Sequence, residues 1–445
     1  MSLFNTLNTG ASGLGASGNS MAVIGDNIAN INTRGYKRGR IAFADVMPQF
    51  IGSVNGTSQL GRGASVSSVS TMHLQGGLQS TGSSLDVAIG GRGFFQVTDG
   101  TNKMFTRDGS FRVSKDNYIT TLGGLHLQGF PAIEGQISGQ AGDLRLDTTP
   151  LGSKATSMMT LNAVLAPEKA WDGSTPLATI IGTADGSAIA PSIQELTSGT
   201  SADFHTSITV YDSLGQPHEV TTLMEQTGAN EWTYYTVVDG SEIDADDDGI
   251  PDNPNGGAKR LSSGTITFDT DGNLTDHTVD GTTSEAQWAG AEDWAPTYDF
   301  GFDGGSGNLA NNGKVSSAIS FQQDGYSTAF LTSLNVEGDG TIVGQYDNGE
   351  SQTLGQIAIA SFGADDGLNR MGGNLYTSSL ASGDATLGAA GTGGRGNLSG
   401  FALEQSNVDL ENEFVSMIQS QRSYQANAST VRSSDESLQT LVNLV

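Results

Sequence analysis

The two ends of the chain carry one pattern. Leu3, Leu7, Gly10, Leu14, Ser17, Met21, Ile24, Ile28 and Ile31 recur at alternating spacings of four and three. From Leu410 the same alternation runs through Phe414, Met417, Gln421, Tyr424, Ala428, Val431, Asp435, Leu438, Val442 and Val445. Such a repeat is a heptad seam, so each end is predicted to be a long amphipathic helix, the C-terminal one roughly 50 Å long. A lone helix cannot bury its stripe. Two of them at opposite ends imply that the termini come together and that everything between is an insertion.

The seams can either cap the chain's own core or pack between copies. Gly10, Gly13, Gly15, Gly18 and Gly25 lie within the first segment, and each costs a helix about 0.5–1 kcal/mol relative to Ala. That segment becomes a stable helix when neighbours pack closely against its small-residue faces. Gln421 and Asp435 in the second seam suit a specified association rather than a uniformly apolar core. Between copies, Leu7, Leu14, Met21, Ile24, Ile28 and Ile31 would carry assembly on one side, and Leu410, Phe414, Met417, Tyr424, Val431 and Leu438 on the other.

The interior has a different character. The chain contains 62 Gly and 36% apolar residues, which points to turn-rich β structure. With no Cys, disulfide and thiol chemistry are excluded. No run of eighteen apolar residues would span a membrane. Met1 to Gly10 lacks the basic and apolar regions of a secretory signal, so the expectation is either a cytoplasmic protein or export by another route. Net charge is −28, and residues 156–310 hold 25 acidic against 3 basic side chains, or −22. Nucleic acid is therefore not an expected partner. So acidic a stretch reads as a solvated outward surface.

Taken in order, Arg34, Lys37, Arg38 and Arg40 follow the first helix as a basic knot: a complement to the helix dipole, a docking patch for an acidic neighbour, or a solvated face. Residues 32–80 read as an extended linker. Between Leu85 and Phe130, short alternating runs separated by Asp-Gly, Asp-Asn and Gly-Gly predict antiparallel strands with tight turns. Strand patterns recur at 204–268 and again at 319–362. The expected fold is mainly β with terminal α-helices, in nested discontinuous domains. Residues 1–31 and 404–445 would form a coiled-coil-like inner assembly domain. One outer β domain would combine 81–155 with 314–395, and the acidic outer β domain 156–310 would be inserted in it. Residues 301–313 read as an exit linker and 385–400 as a flexible joint.

Catalytic constellations are missing from the pattern. His73, His126, His205, His218 and His277 are scattered without ligand-like spacing and read as surface or turn residues. The glycines around Arg92 lack the spacing of a phosphate loop. No cofactor is required. One loop resembles a calcium site: Asp244, Asp246, Asp248, Ile250 and Asp252 occupy the oxygen-donating positions, with Gly249 at the sixth. Its twelfth position is Asn255 rather than Glu, and no amphipathic helices flank it. It is a calcium-stapled loop or an acidic solvated hairpin tip.

Three blocks carry a family resemblance. Asp26-Asn27-Ile28-Ala29-Asn30 with Asn32-Thr33-Arg34-Gly35-Tyr36-Lys37 resembles the N-terminal signature of the bacterial flagellar rod and hook axial proteins. Leu85 to Ile89, Gly93 to Val97 and Phe105 to Phe111 are similar to their central signature. Ser406-Asn407-Val408-Asp409-Leu410, Met417-Ile418 and Gln421-Arg422-Ser423-Tyr424-Gln425-Ala426-Asn427 resemble the C-terminal one. The large insertion and the stretch Leu438 to Leu444 look like the hook branch of that family. The resemblance implies export through the flagellar type III apparatus and polymerisation with copies of itself into a curved tube that transmits torque as a universal joint. It also implies partners in a distal rod protein, a hook cap protein and a hook-filament junction protein. A distal rod protein with an enlarged outer domain, or a secreted calcium-dependent adhesin, are the alternatives.

Overall fold

A computed structural model describes residues 2–53, 56–133, 135–147, 149–166, 177, 181, 191–198, 202–243, 257–279, 288, 291–292, 294, 296–301 and 308–443. The chain divides into two compact units, residues 1–148 with 331–445, and residues 149–330. Both units are mainly β, and the two long helices, Ser2–Ala29 and Leu410–Asn443, pack together within the first.

The first unit is built from strands contributed by both sides of the insertion. Along the main path of its 14-stranded sheet the order is Leu331–Val336, Thr341–Tyr346, Ser351–Ile357, His126–Ile133, Phe94–Thr98, Lys103–Thr106, Leu375–Thr377 and Asn369–Gly372. The join lies where Gly129 pairs with Ile357 and Phe95 with Ile359, both antiparallel. Alternating apolar residues from both stretches fill one core, including Ile89, Phe95, Val97, Leu127, Ile342, Ile357 and Ile359. The Asp116-Asn117 turn forms as the sequence predicts, with Asn117 at φ 64° and Ser114 N–H donating to Tyr118 O at 2.8 Å.

Three segments differ from expectation, and one is the expected exit linker 301–313: Asn308–Ala310 pairs parallel with Met158–Val164, and the second unit runs on to residue 330. Residues 385–400 are not a free joint: Thr386–Gly388 pairs with Ile359–Ser361, and Asn397–Gly400 pairs with Val87–Gly90. Backbone pairing holds this Gly-rich stretch where composition alone suggested slack. Within 32–80, Gly39–Asp45 pairs antiparallel with Ala64–Thr71, and Leu78–Ser80 pairs with Ala402–Glu404. That last pairing leads directly into the C-terminal helix.

The second unit centres on a five-stranded antiparallel meander: Phe204–Tyr211, Pro217–Gly228, Glu231–Asp239, Ala258–Phe268 and Leu274–Val279. Its tight turns are stapled by aspartates. Asp212 Oδ1 accepts from Leu214 N–H at 2.9 Å and Gln216 N–H at 2.7 Å. Asp269 Oδ1 accepts from Asp271 N–H at 2.9 Å and Asn273 N–H at 2.7 Å, and these bonds, the Asn273 side chain's first, hold its carboxyl below the usual range. A smaller sheet around Met158–Val164 adds Leu161 to the core formed with Phe204, Met224, Trp232 and Ile266.

Candidate assembly site

The terminal helices run antiparallel in a regular register. Ser20 Oγ lies 3.0 Å from Ser420 Oγ, and Asn27 Nδ2 donates to Glu413 Oε2 at 3.2 Å. At the other end, a Cβ placed on Gly13 would sit 2.6 Å from Asn427 Nδ2, and one on Gly10 would sit 2.8 Å from Val431 Cγ2. Seven residues along one helix thus match seven back along the other, as a heptad pairing requires. The glycines let the backbones approach here.

The face used is not the most apolar one. Asn27 and Glu413 are buried, as are Ser17, Ile24 and Ser434. Small and polar residues (Gly13, Ser20 and Asn27 against Asn427, Ser420 and Glu413) alternate with the apolar positions of the seam. Leu410, Phe414, Val415, Ile418 and Tyr424 remain exposed, Phe414 at 48% and Ile418 at 50%. Phe414 and Ile418 fall about a quarter-turn or more round the helix from Glu413 and Met417. On the N-terminal helix, Gly15, Gly18 and Gly25 face open space. Leu7, Leu14, Met21, Ile28 and Ile31 are partly exposed, as are Met417, Val431 and Leu438.

Below the helix pair the chain turns through an elbow. Asn27 Oδ1 accepts from Gly39 N–H at 2.8 Å, and its Nδ2 returns a bond to Gly39 O at 2.9 Å, closing the turn onto the helix that enters it. Tyr36 OH donates to Asp26 Oδ2 at 3.0 Å while the Arg370 guanidinium lies 5.1 Å over its ring. Burial, then the Asp26 bond, pushes the Tyr36 phenol up to about 12. Thr33 Oγ1 donates to Asn30 Oδ1 at 3.1 Å. Gly35 adopts φ 65°, and a Cβ there would come 2.7 Å from the Arg107 carbonyl carbon, so two separate constraints select glycine. Across the elbow, Asn407 Oδ1 accepts from Arg38 N–H at 2.8 Å, and its Nδ2 donates to Met72 O at 2.8 Å. Val408 is buried, whereas Gln421 and Arg422 are exposed. Asp409 caps the C-terminal helix, accepting from Glu411 N–H at 3.0 Å.

At the elbow's centre is a buried ion cluster. Lys37 Nζ lies 2.6 Å from Glu404 Oε1, with both side chains fully buried, and Arg107 Nη1 lies 3.2 Å from Glu404 Oε2. Lys37 also donates to Leu74 O at 2.7 Å, Gly76 N–H to Glu404 Oε1 at 2.8 Å, and Arg107 Nη2 to Gly91 O at 2.7 Å. Burial pushes the Lys37 and Arg107 cations below their ordinary values, with Glu404 opposing in each case. The basic knot is therefore only half solvated, with Arg34 and Arg40 exposed. Lys37 is interior, and Arg38 pairs with Glu413 at 3.5 Å. His73 is not a surface residue either: it packs edge-on against Phe94 and Tyr376 at 5.4 and 5.5 Å, its ring nitrogens buried without partners among the described residues. Burial pushes its imidazole down to about 4. His218 likewise stacks on Trp288 at 4.1 Å, clasped by Glu242 and Asp212.

Sequence patterns missed Glu404 and Glu413, and the role of Arg107, although Arg107 lies inside the Phe105 to Phe111 block. A buried charge looks like any other charge in a sequence; only the fixed spacing of Lys37 within the Asn-Thr-Arg-Gly-Tyr-Lys block could have marked it. The candidate calcium loop from Asp244 to Asp252 lies outside the described residues. Among the described residues, no cluster of His, Asp and Glu could hold a metal ion, and no helix is long and apolar enough to cross a membrane.

Comparison with known proteins places four segments. Residues 7–37 match the flagella basal body rod protein family, and residues 88–156 the flagellar hook protein FlgE/F/G D1 domain. Residues 183–326 match the flagellar basal body protein FlaE D2 domain, and residues 400–444 the flagellar basal body rod FlgEFG protein C-terminal region. The chain is 34% identical over 441 residues to the flagellar hook protein FlgE of Escherichia coli K12, covering 97% of this chain and 98% of that one. It is 32% identical over 446 residues to the flagellar hook protein FlgE of Salmonella typhimurium, with 97% and 98% covered. Against the flagellar hook protein FlgE of Treponema pallidum it is 32% identical over 489 residues, with 99% and 100% covered.

Proposed function

Because this chain belongs to the flagellar hook protein family, we propose that its copies join through the faces of the terminal helices that its own helix pair leaves uncovered. It is a structural subunit, not an enzyme, of the polymeric tube of the flagellar hook, outside the cell. The observation behind this assembly mode is the stripe of Leu410, Phe414 and Ile418, exposed on a helix whose inner face is already filled by the N-terminal helix. A neighbour's N-terminal helix offers a face on which Gly15, Gly18 and Gly25 leave room for such side chains. Large residues of one copy seating on small residues of the next would bury both, at about 1.5–3 kcal/mol for each large side chain fully covered.

In this arrangement residues 1–31 and 404–445 form the inner wall, with the β strands of the first unit, within residues 78–148 and 331–400, outside it. The acidic domain 156–310 faces outward, its charge keeping crowded copies soluble. Stiff helical walls resist torsion, while outer domains slide over their neighbours as the tube bends, making it a universal joint. The rod, the cap and the hook-filament junction would meet the same helical ends, after passage through the flagellar export apparatus. The chain has no native Cys, so a paired substitution tests the contact cleanly. Gly18→Cys with Phe414→Cys should give a ladder of cross-linked dimers, trimers and longer species in assembled tubes. Cross-linking confined to single chains would reject the assignment.

A further inference from the structure

The ion cluster at the elbow holds two cations and one carboxylate in a site without solvent access. Each of its groups comes from a different part of the chain. Lys37 follows the N-terminal helix, Arg107 follows strand Lys103–Thr106 of the β core, and Glu404 ends the last strand before the C-terminal helix. Glu404 also reaches the Lys37 segment through its backbone, and a fourth segment, at Gly76, through its remaining acceptor capacity. Its carbonyl accepts from Gly35 N–H at 2.8 Å, and its Oε1 from Gly76 N–H at 2.8 Å. His73, neutral because it is buried, adds no third cation to the cluster. Arg107 Nε has no partner among the described residues. An unpaired buried charge is far more costly than a paired one.

We propose that Glu404 is the positioning residue of the assembly machinery: a latch that, by inserting between Lys37 and Arg107, closes the elbow and sets the two terminal helices in their pairing register. Before Glu404 arrives, the elbow would have to bury two cations with no carboxylate in contact, the Asp365 charge acting on Arg107 only from outside the cluster, so it stays open. Docking of Ala402–Glu404 against Leu78–Ser80 delivers the carboxylate and starts the C-terminal helix five residues later, at Asp409. Helix pairing is thereby conditional on a strand pairing. The latch operates inside one chain, so it stands independently of how copies meet.

The cluster's charge count gives the latch a signature that hydrogen bonding or packing alone would not produce. Removing Lys37 leaves a neutral Arg107–Glu404 pair; removing Glu404 leaves two cations with no carboxylate in contact. Hydrogen exchange on the full-length chain should be compared for wild type, Lys37→Met, Glu404→Gln and the double variant, at 33–40, 72–80 and 402–408, with strand Phe94–Thr98 as reference. The expected result is near wild-type protection in Lys37→Met and loss of at least about tenfold in Glu404→Gln, with partial recovery in the double variant. Equal loss in the two single variants, simple additivity in the double, or a wild type unprotected at these segments would each overturn the latch. Should Glu404→Gln also unfold the reference strand, Lys37→Met decides alone: lost protection there rejects the proposal.

Discussion

Gly13 and Asn427 meet across the terminal helices so closely that a side-chain carbon on Gly13 would displace the Asn427 amide: a Cβ there would lie within 2.6–2.8 Å of Nδ2, Cγ and Oδ1 of Asn427. Gly15, two residues on, faces open space. Position therefore decides the effect of substitution. Gly15→Ala should add about 0.5–1 kcal/mol of helix stability. Gly13→Leu should remove about 1–3 kcal/mol by forcing the helices apart. Hydrogen exchange along the two helices would distinguish these outcomes, and equal effects at both positions would refute the register.

The Asn27 side chain holds four groups: the N–H and the carbonyl of Gly39, the Glu413 carboxylate, and the Tyr36 hydroxyl, which donates to its Oδ1 at 3.3 Å. Asn27→Ala leaves the Gly39 groups and Glu413 in a buried setting without those bonds. It should cost about 2–3 kcal/mol, by the desolvation of the orphaned groups. Asn27→Asp should be no better, because it faces Glu413 with a second carboxylate. Chemical denaturation of the three chains tests the order.

His73 makes the first unit acid-sensitive. Its imidazole is held at about 4 in the fold against an ordinary 6.5, because burial favours the neutral ring. Between these values the unfolded chain takes up a proton that the folded chain refuses, so stability falls as pH drops through that window and is unaffected above it. The loss approaches about 3 kcal/mol at its low end, on the order of 1.4 kcal/mol per pH unit. His73→Phe should flatten that slope without changing stability at pH 8. Parallel denaturation curves from pH 8 to pH 4 would show the role is wrong.

Asp409 caps the C-terminal helix, and Asn412 Nδ2 braces it at 2.6 Å. Asp409→Ala should cost about 1 kcal/mol and fray the first turn. Faster exchange at residues 411–414, with the far half of the helix unchanged, is the expected reading.

The large outline of this molecule is written in its sequence in period and punctuation. The four-and-three spacing at both ends announces two paired helices, and turn residues such as Asp116-Asn117 and Asp212 to Gly215 mark hairpins that form. What the pattern concealed was the face each helix gives to the other. A search for apolar recurrence picks Ile24, which is buried, but also Leu14, Met21, Ile28 and Phe414, which are not, whereas the buried set includes Asn27, Glu413 and Ser434, which no hydrophobicity count selects. Lys37 was hidden for the same reason, since its burial depends on a carboxylate 367 positions away. The strands at 386–388 and 397–400 depend on partners elsewhere in the chain rather than on their own Gly-rich composition.

The most direct test of the proposed assembly is electron microscopy of full-length chains carrying Phe414→Glu and Ile418→Glu, two exposed positions outside the chain's own helix pair. The account predicts a folded chain, with hydrogen-exchange protection of Phe94–Thr98 and of the helix pair intact, that forms no tubes while wild type forms curved ones. Normal curved tubes from the double variant would contradict it and return the outward face of the C-terminal helix to plain solvent exposure.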